Sequence, residues 1–175
     1  MPDRTTRDLR LRPLRTDDET AFRDAHQVMT PSGHTFGLDL EPGMSWDGYL
    51  KCLDERRAGV NMPAGKVPAT FLVADVAGEI VGRSSIRHCL NDYLARYGGH
   101  IGYAVLPQHR RRGYATEMLR QSLVIARAAG VDRVLLTCDD DNVGSITVIE
   151  RCGGRLDSVI QADFQPAPIR HYWID

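Results

Sequence analysis

Between residues 100 and 138 the chain spells out a strand, a basic turn, a helix and a second strand, and that order leaves few folds open. His100-Ile101-Gly102-Tyr103-Ala104-Val105-Leu106 reads as a central strand that stops at Pro107, because proline has no N–H to give to a ladder. Over residues 113–129, Ala115, Met118, Leu119, Ser122, Ala126 and Ala129 recur at helical spacing, with Glu117, Arg120, Gln121 and Arg127 off that stripe. Gly130 is a natural C-terminal stop, and the apolar run 131–138 follows at once. A strand, helix and strand joined in this way form a crossover unit whose two strands lie side by side and parallel.

The remaining segments read mostly as antiparallel elements around that unit. Leu9 to Leu14 alternates apolar and polar residues, as a half-buried strand does, and Thr16 then offers an N-cap with Glu19 as its capping-box partner for a helix over 17–29. Residues 30–44 are rich in Gly and Pro and read as a surface loop or flap. Ser45 next caps a helix carrying Trp46, Tyr49, Leu50 and Leu53. Strands over 69–74 and 80–88 flank a turn at Ala77-Gly78, and the chain closes with a short helix over 145–151 and strands near 155–164 and 169–174. With 42% hydrophobic and 26% charged residues, 175 residues suffice for one substantial core, so residues 1–175 are expected to form a single domain.

Composition then narrows the function. A formal net charge of −1 gives no global basic field, which argues against a nucleic-acid partner and requires any phosphate site to be local. No apolar run approaches the roughly 20 residues that span a bilayer, and Met1-Pro2-Asp3-Arg4-Thr5-Thr6 lacks the apolar core of a signal peptide, so a soluble, cytoplasmic protein without a membrane partner is expected. Cys52, Cys89, Cys138 and Cys152 are scattered and read as reduced thiols. His26, His34, His88, His100, His109 and His171 fall at no zinc-site spacing, and no metal is expected.

The local phosphate site is Arg110-Arg111-Arg112-Gly113-Tyr114-Ala115. The first turn of a helix leaves backbone N–H groups unpaired at the positive end of its dipole. Gly113 lets a ligand approach the backbone, Ala115 keeps the next contact small, and three arginines add charge. A solvated basic turn has the same composition, so the segment's place between a strand and a helix is what gives it weight. There, Arg110-x-x-Gly113-x-Ala115 resembles the CoA-binding signature of the GNAT N-acetyltransferase superfamily.

That resemblance implies an α/β (α+β) fold with a mixed, mostly antiparallel central sheet, a splayed parallel strand pair and about four flanking helices. It implies acetyl-CoA as cosubstrate, with backbone groups of Tyr103 and Val105 on the pantetheine and amides of Arg110, Arg111, Arg112, Gly113, Tyr114 and Ala115 on the pyrophosphate. Asp139-Asp140-Asp141-Asn142-Val143-Gly144-Ser145 is similar to the family's second CoA-contacting segment, and this gives Asn142 and Ser145 to the thiol arm, although both residue types also cap helices unaided.

The reaction is less legible. Many relatives carry a tyrosine acid four residues before the closing glycine turn, but counting back from Gly153 gives Ile149. Many also place a base early in the central strand, and His100 is the candidate there, with His88 and Tyr103 as rivals that neighbouring strands present to the cleft, although a histidine in a strand also serves as a packed, hydrogen-bonded residue. The acceptor pocket of such a fold comes largely from its first two helices and their loop, where Asp39, Glu41, Asp47, Asp54 and Glu55 either draw a cationic amine or are simply solvated. His171 and Tyr172 are further neighbours of that pocket or members of the core. The resulting expectation is acetyl transfer to a primary amine, on a small molecule rather than a protein, by direct attack in a ternary complex. A protein N-acetyltransferase and a silent acyl-CoA-binding or regulatory module are the alternatives, and a homodimer is possible.

Overall fold

A computed structural model describes residues 8–33 and 35–175; residues 1–6 and His34, considered above, lie outside the described residues. The chain runs β1 (Arg10–Arg12), α1 (Glu19–Met29), α2 (Trp46–Ala58), β2 (Ala69–Val76), β3 (Glu79–Arg87), β4 (Ile101–Val105), α3 (Tyr114–Ala128), β5 (Val134–Asp139), α4 (Val143–Arg151), β6 (Arg155–Ile160) and β7 (Ile169–Ile174). Two antiparallel sheets result, ordered β1-β2-β3-β4 and β5-β7-β6.

The helical spacing over 113–129 has a plain cause in α3. Met118, Leu119, Leu123 and Ala126 are buried, and most join Ile86, Ile101, Leu136 and Ile149 in a core on one side of the sheets. On the other side, α1 and α2 press Phe22, Phe36, Trp46 and Tyr49 onto Phe71 and Val73 of β2. Phe22 is fully buried and lies within 5.4 to 5.9 Å, ring centre to ring centre, of Phe36, Trp46, Tyr49 and Phe71. The segment after α1 is therefore no loose flap at Phe36, whose side chain is wholly enclosed.

The start of α1 departs from the expected capping box. A single 3₁₀ turn, Thr16–Asp18, precedes the helix, and Thr16 caps nothing. Instead Asp18 accepts the Arg15 N–H at 2.7 Å and both Arg12 Nη atoms at 2.6 and 2.9 Å, so a bidentate ion pair to β1 overrides the local capping preference. The Ser45 cap on α2 forms as expected, its Oγ accepting the Gly48 N–H.

β4 and β5 meet and part. His100 donates its N–H to the Leu135 carbonyl at 2.7 Å, and the Leu135 N–H returns to His100 Nδ1 at 2.9 Å. Three residues further along both strands, Tyr103 and Cys138 are electrostatic neighbours, so the two strands advance in the same direction. They form no ladder, and each is the edge of its own sheet. Gly99 permits the contact: its φ is +62°, and a Cβ there would sit 2.6 Å from the Leu135 carbonyl oxygen.

Candidate active site

The gap between β4 and β5 is lined by backbone that has nowhere else to go. The Arg87 N–H bonds the His100 carbonyl, and the Leu106 N–H bonds the Val81 carbonyl. In an antiparallel pair the hydrogen-bonded positions alternate, so His100, Gly102, Ala104 and Leu106 face β3. The N–H and C=O groups of Ile101, Tyr103 and Val105 then point into the gap. One of these is already engaged, since the Val105 carbonyl accepts Arg110 Nε at 3.2 Å.

At the far end of β4 the chain turns through Pro107–His109 into α3. Arg111 has φ +65° and Gly113 φ +82°, two left-handed residues within three, which fold the turn back over the helix start. Gly113 is the N-cap of a fifteen-residue helix and supplies no side-chain cap, so the first-turn N–H groups are open at the positive end of the dipole. Arg110, Arg111 and Arg112 are exposed around it, whereas the Tyr114 side chain is buried beneath the turn and can offer a ligand only its amide.

Tyr103 marks the middle of the gap. Burial pushes its pKa up to about 12, and its hydroxyl, beside Ser145 of α4, makes no hydrogen bond of good geometry among the described residues. A buried orphan hydroxyl is costly unless a ligand completes it. Asn142 is the N-cap of α4 and accepts the Ser145 N–H at 3.0 Å, so its Oδ1 performs the capping role. Ile149 is fully enclosed in the core, and no tyrosine of α4 stands in its place.

The histidines are placed differently from one another. His100 is buried, and burial lowers its pKa. With Nδ1 accepting from Leu135, the neutral ring carries its proton on Nε2, and the lone pair a base would use is already committed. His88 lies just past the end of β3 with Nε2 2.8 Å from Thr70 Oγ1, and burial lowers its pKa as well. His171 and Tyr172 are core residues: His171 Nε2 is 2.6 Å from the Arg96 carbonyl, and the Tyr172 hydroxyl bonds Glu150.

On the opposite face of β4 lies a cavity of about 460 Å³, bounded by α2, β2, β3, the segment near Thr35 to Asp39, and residues 65–67 and 91–94. Of the five acidic residues singled out above, Asp39 alone lines it. Asp39 is its one carboxylate, and it is held by Arg56 at 2.8 Å and Lys66 at 3.1 Å. Glu41, Asp47, Asp54 and Glu55 do not line it. Asp54 and Glu55 instead pair with Arg57 and Lys51 along the outside of α2.

What the sequence reading missed is the basic face of β3. Arg83, Ser85 and Arg87 alternate with the buried Gly82, Ser84 and Ile86. Arg87 donates to the carbonyls of Gly98 and Gly99, and Arg83 to those of Gly102 and Thr35. The signal was present: Arg83, Ser85 and Arg87 fall at period two in a strand, which puts both arginines on one face.

Residues 8–155 match the acetyltransferase (GNAT) domain family. The chain belongs to the GNAT acetyltransferases. It is therefore an acetyl-CoA-dependent N-acetyltransferase, and the described residues fit that cosubstrate: an open helix start, a splayed strand pair and an orphan hydroxyl between them. No curated protein matches the chain in sequence. Among solved structures the fold is similar to that of YncA from Salmonella typhimurium, a putative acetyltransferase with acetyl-CoA, at TM-score 0.65 and 15% identity over 95% of this chain and 93% of that one. It is also similar to Mycobacterium smegmatis RimJ in complex with CoA-disulfide, at TM-score 0.65 and 22% identity over 95% and 81%. The Vibrio cholerae spermidine/spermine N-acetyltransferase SpeG aligns at TM-score 0.64 and 16% identity over 96% and 94%.

Proposed function

We propose that this acetyltransferase moves the acetyl group to the primary amine of a small molecule, by direct attack within a ternary complex. The observation that carries the reading is the parting of β4 and β5 after His100, which leaves the backbone groups of Ile101, Tyr103 and Val105 facing a gap, or slot, instead of a ladder. In this reading the amides from Arg110 to Ala115 hold the pyrophosphate, and Tyr103 and Val105 hold the pantetheine through backbone groups. Asn142 and Ser145 border the thiol arm.

Bound acetyl-CoA supplies an activated thioester carbon. Side chains alternate across β4, so Tyr103 faces α4 while Gly102 faces the side of Ser85, its partner on β3 and a residue of the cavity lining, and an amine reaches the slot from the side opposite the tyrosine. The Tyr103 hydroxyl, which burial keeps protonated, holds a proton where the departing sulfur needs one, and so takes the part that Ile149 cannot. Neither His88 nor His100 lines the cavity, and Asp39 is neutralised twice, so deprotonation of the amine is assigned to water.

The test begins at the cradle. Gly113→Ala measures the cost of a side chain at φ +82°, and Gly113→Gln and Gly113→Glu then differ only in charge. CoA affinity by calorimetry is expected to survive Gly113→Ala in part and to fall at least about tenfold further from Gln to Glu, a step of about 1.4 kcal/mol. Equal affinities in all three folded variants would sink the cradle assignment. Release of free CoA over a panel of amines tests the transfer itself, and a protein that binds CoA but turns over no amine would be the silent module.

A further inference from the structure

The cavity lined by Ser85, the β3 partner of Gly102, is rich in cations. Its lining carries Arg56, Lys66 and Arg87 against Asp39 alone. Arg83 stands just behind, its Nη2 2.9 Å from the carbonyl of Thr35, a residue of that lining. The two guanidiniums of β3 converge: a Cβ at Gly102 would lie 3.7 Å from Arg83 Nη1 and 3.9 Å from Arg87 Nη2. Gly102 thus keeps open the space between them, one residue along β4 from Tyr103.

Neither arginine has a carboxylate partner among the described residues. Arg87 Nη1 donates to the Gly98 and Gly99 carbonyls at 3.0 and 2.9 Å, and Arg83 Nη1 to the Gly102 carbonyl at 3.1 Å. Arg83 Nε is buried with no hydrogen-bond partner among the described residues. Carbonyl oxygens orient a guanidinium but do not cancel its charge, and two buried like charges side by side are expensive. Burial first, and then the neighbouring Arg87, push the Arg83 pKa down to about 10, which still leaves it charged at neutral pH. Arg87 is lowered by burial and then by Arg56. A planar fork of donors is matched best by a carboxylate.

We infer that the acceptor is a small amine bearing a carboxylate, which Arg83 and Arg87 receive beside Gly102 so that its amino group is presented to the slot. A polyamine, all cation, would enter against the charge of Arg56, Lys66, Arg83 and Arg87. This inference rests on the proposed acetyl transfer and names the substrate class for the same site.

Two measurements separate the ideas. In the first, amines are offered in matched sets: an amino acid, its carboxamide, the amine left by removing the carboxylate, and a diamine. Release of CoA is expected to show kcat/KM at least about tenfold higher for the amino acid than for its carboxamide, through KM, and Arg87→Gln or Arg83→Gln to close that gap. Equal or better turnover of the carboxamide or the diamine overturns the inference while leaving acetyl transfer standing. In the second, N-acetylated amino acids and their carboxamides are titrated calorimetrically into the CoA-loaded protein. Preferential binding of the carboxylate form is expected, and its absence overturns the inference even if no amine of the panel is acetylated. Both comparisons are made on the wild-type chain, so they stand even where a variant fails to fold.

Discussion

His100 shows how one side chain can look catalytic and be spent on architecture. It sits at the head of β4, next to the slot, and burial keeps its ring neutral. Yet its Nδ1 is the acceptor for the Leu135 N–H, at the only place where the two sheets share a main-chain hydrogen bond among the described residues. Asparagine places Oδ1 close to where Nδ1 lies, so His100→Asn is expected to keep that acceptor, to cost less than about 1 kcal/mol and to retain most of kcat. His100→Ala strands a buried N–H and is expected to cost about 1 to 3 kcal/mol. Urea denaturation and steady-state kinetics measure both variants. If His100→Asn keeps its stability but loses kcat by a hundredfold or more, the ring is the base and the bridging role is secondary.

At the scale of elements, the decisive contact is the approach of β4 to β5. Gly99 has a left-handed backbone, and an added Cβ would strike the Leu135 carbonyl oxygen at 2.6 Å and the Leu136 Cα at 3.3 Å. Backbone cannot swing aside as a flexible side chain can. Gly99→Ala is therefore expected to push the strands apart, to cost about 2 kcal/mol or more from strain and overpacking together, and to raise KM for acetyl-CoA. An unchanged KM with intact stability would show that the slot does not depend on this closure. The elements themselves were legible in the chain because their periodicities are strong: the α3 stripe from Met118 to Ala126, the Ala77-Gly78 turn and the Ser45 cap all recur in the structure. The turn that leads from Pro107 through Gly113 into α3 was legible because it is local. The start of α1 and the charge of the cavity beside α2 were not. Asp18 answers to Arg12, six residues away, and Asp39 to Arg56 and Lys66, 17 and 27 residues away, so the charge of each environment exists only after folding.

For the molecule as a whole, buried titratable groups on both sides of neutrality set a window of stability. His88 and His100 have folded pKa values below the ordinary 6.5, each lowered chiefly by burial. Below about pH 6.5 the unfolded chain takes up protons that the folded protein refuses, so stability falls as the medium is acidified, until the folded rings protonate too. Asp18 extends that loss. Burial alone would raise its carboxyl, but the bonds from Arg12 and Arg15 outweigh it and leave the pKa below 3.8, so this stabilisation is full above that value and disappears as pH falls through the folded one. Tyr103 acts at the other end: its folded pKa, about 12 against 10.0, means the folded state keeps a proton that the unfolded chain releases. Stability contributed there is present below pH 10 and drains away towards pH 12, by at most roughly 2 to 3 kcal/mol. Urea midpoints taken from pH 5 to 11 are expected to form a plateau between about pH 7 and 8.5 with a decline on either side, the alkaline one opened by Cys138, whose thiol burial raises from 9.0 to about 11, and partly offset above about pH 10 by Arg83, whose guanidinium burial lowers. His100→Asn should make the acid limb shallower, leaving the part owed to His88 and Asp18, and Tyr103→Phe should do the same to the alkaline limb, leaving the part owed to Tyr49 and Cys138, whose pKa values burial also raises, each without moving the other. CoA should reshape the alkaline limb specifically, because in the proposed complex the Tyr103 hydroxyl gains the partner it lacks, and a ligand that bonds the protonated phenol makes its proton harder still to remove. If CoA raised the midpoints equally at all pH values, its thiol arm would lie away from Tyr103, and the proton for the leaving sulfur would have to be sought elsewhere in the slot.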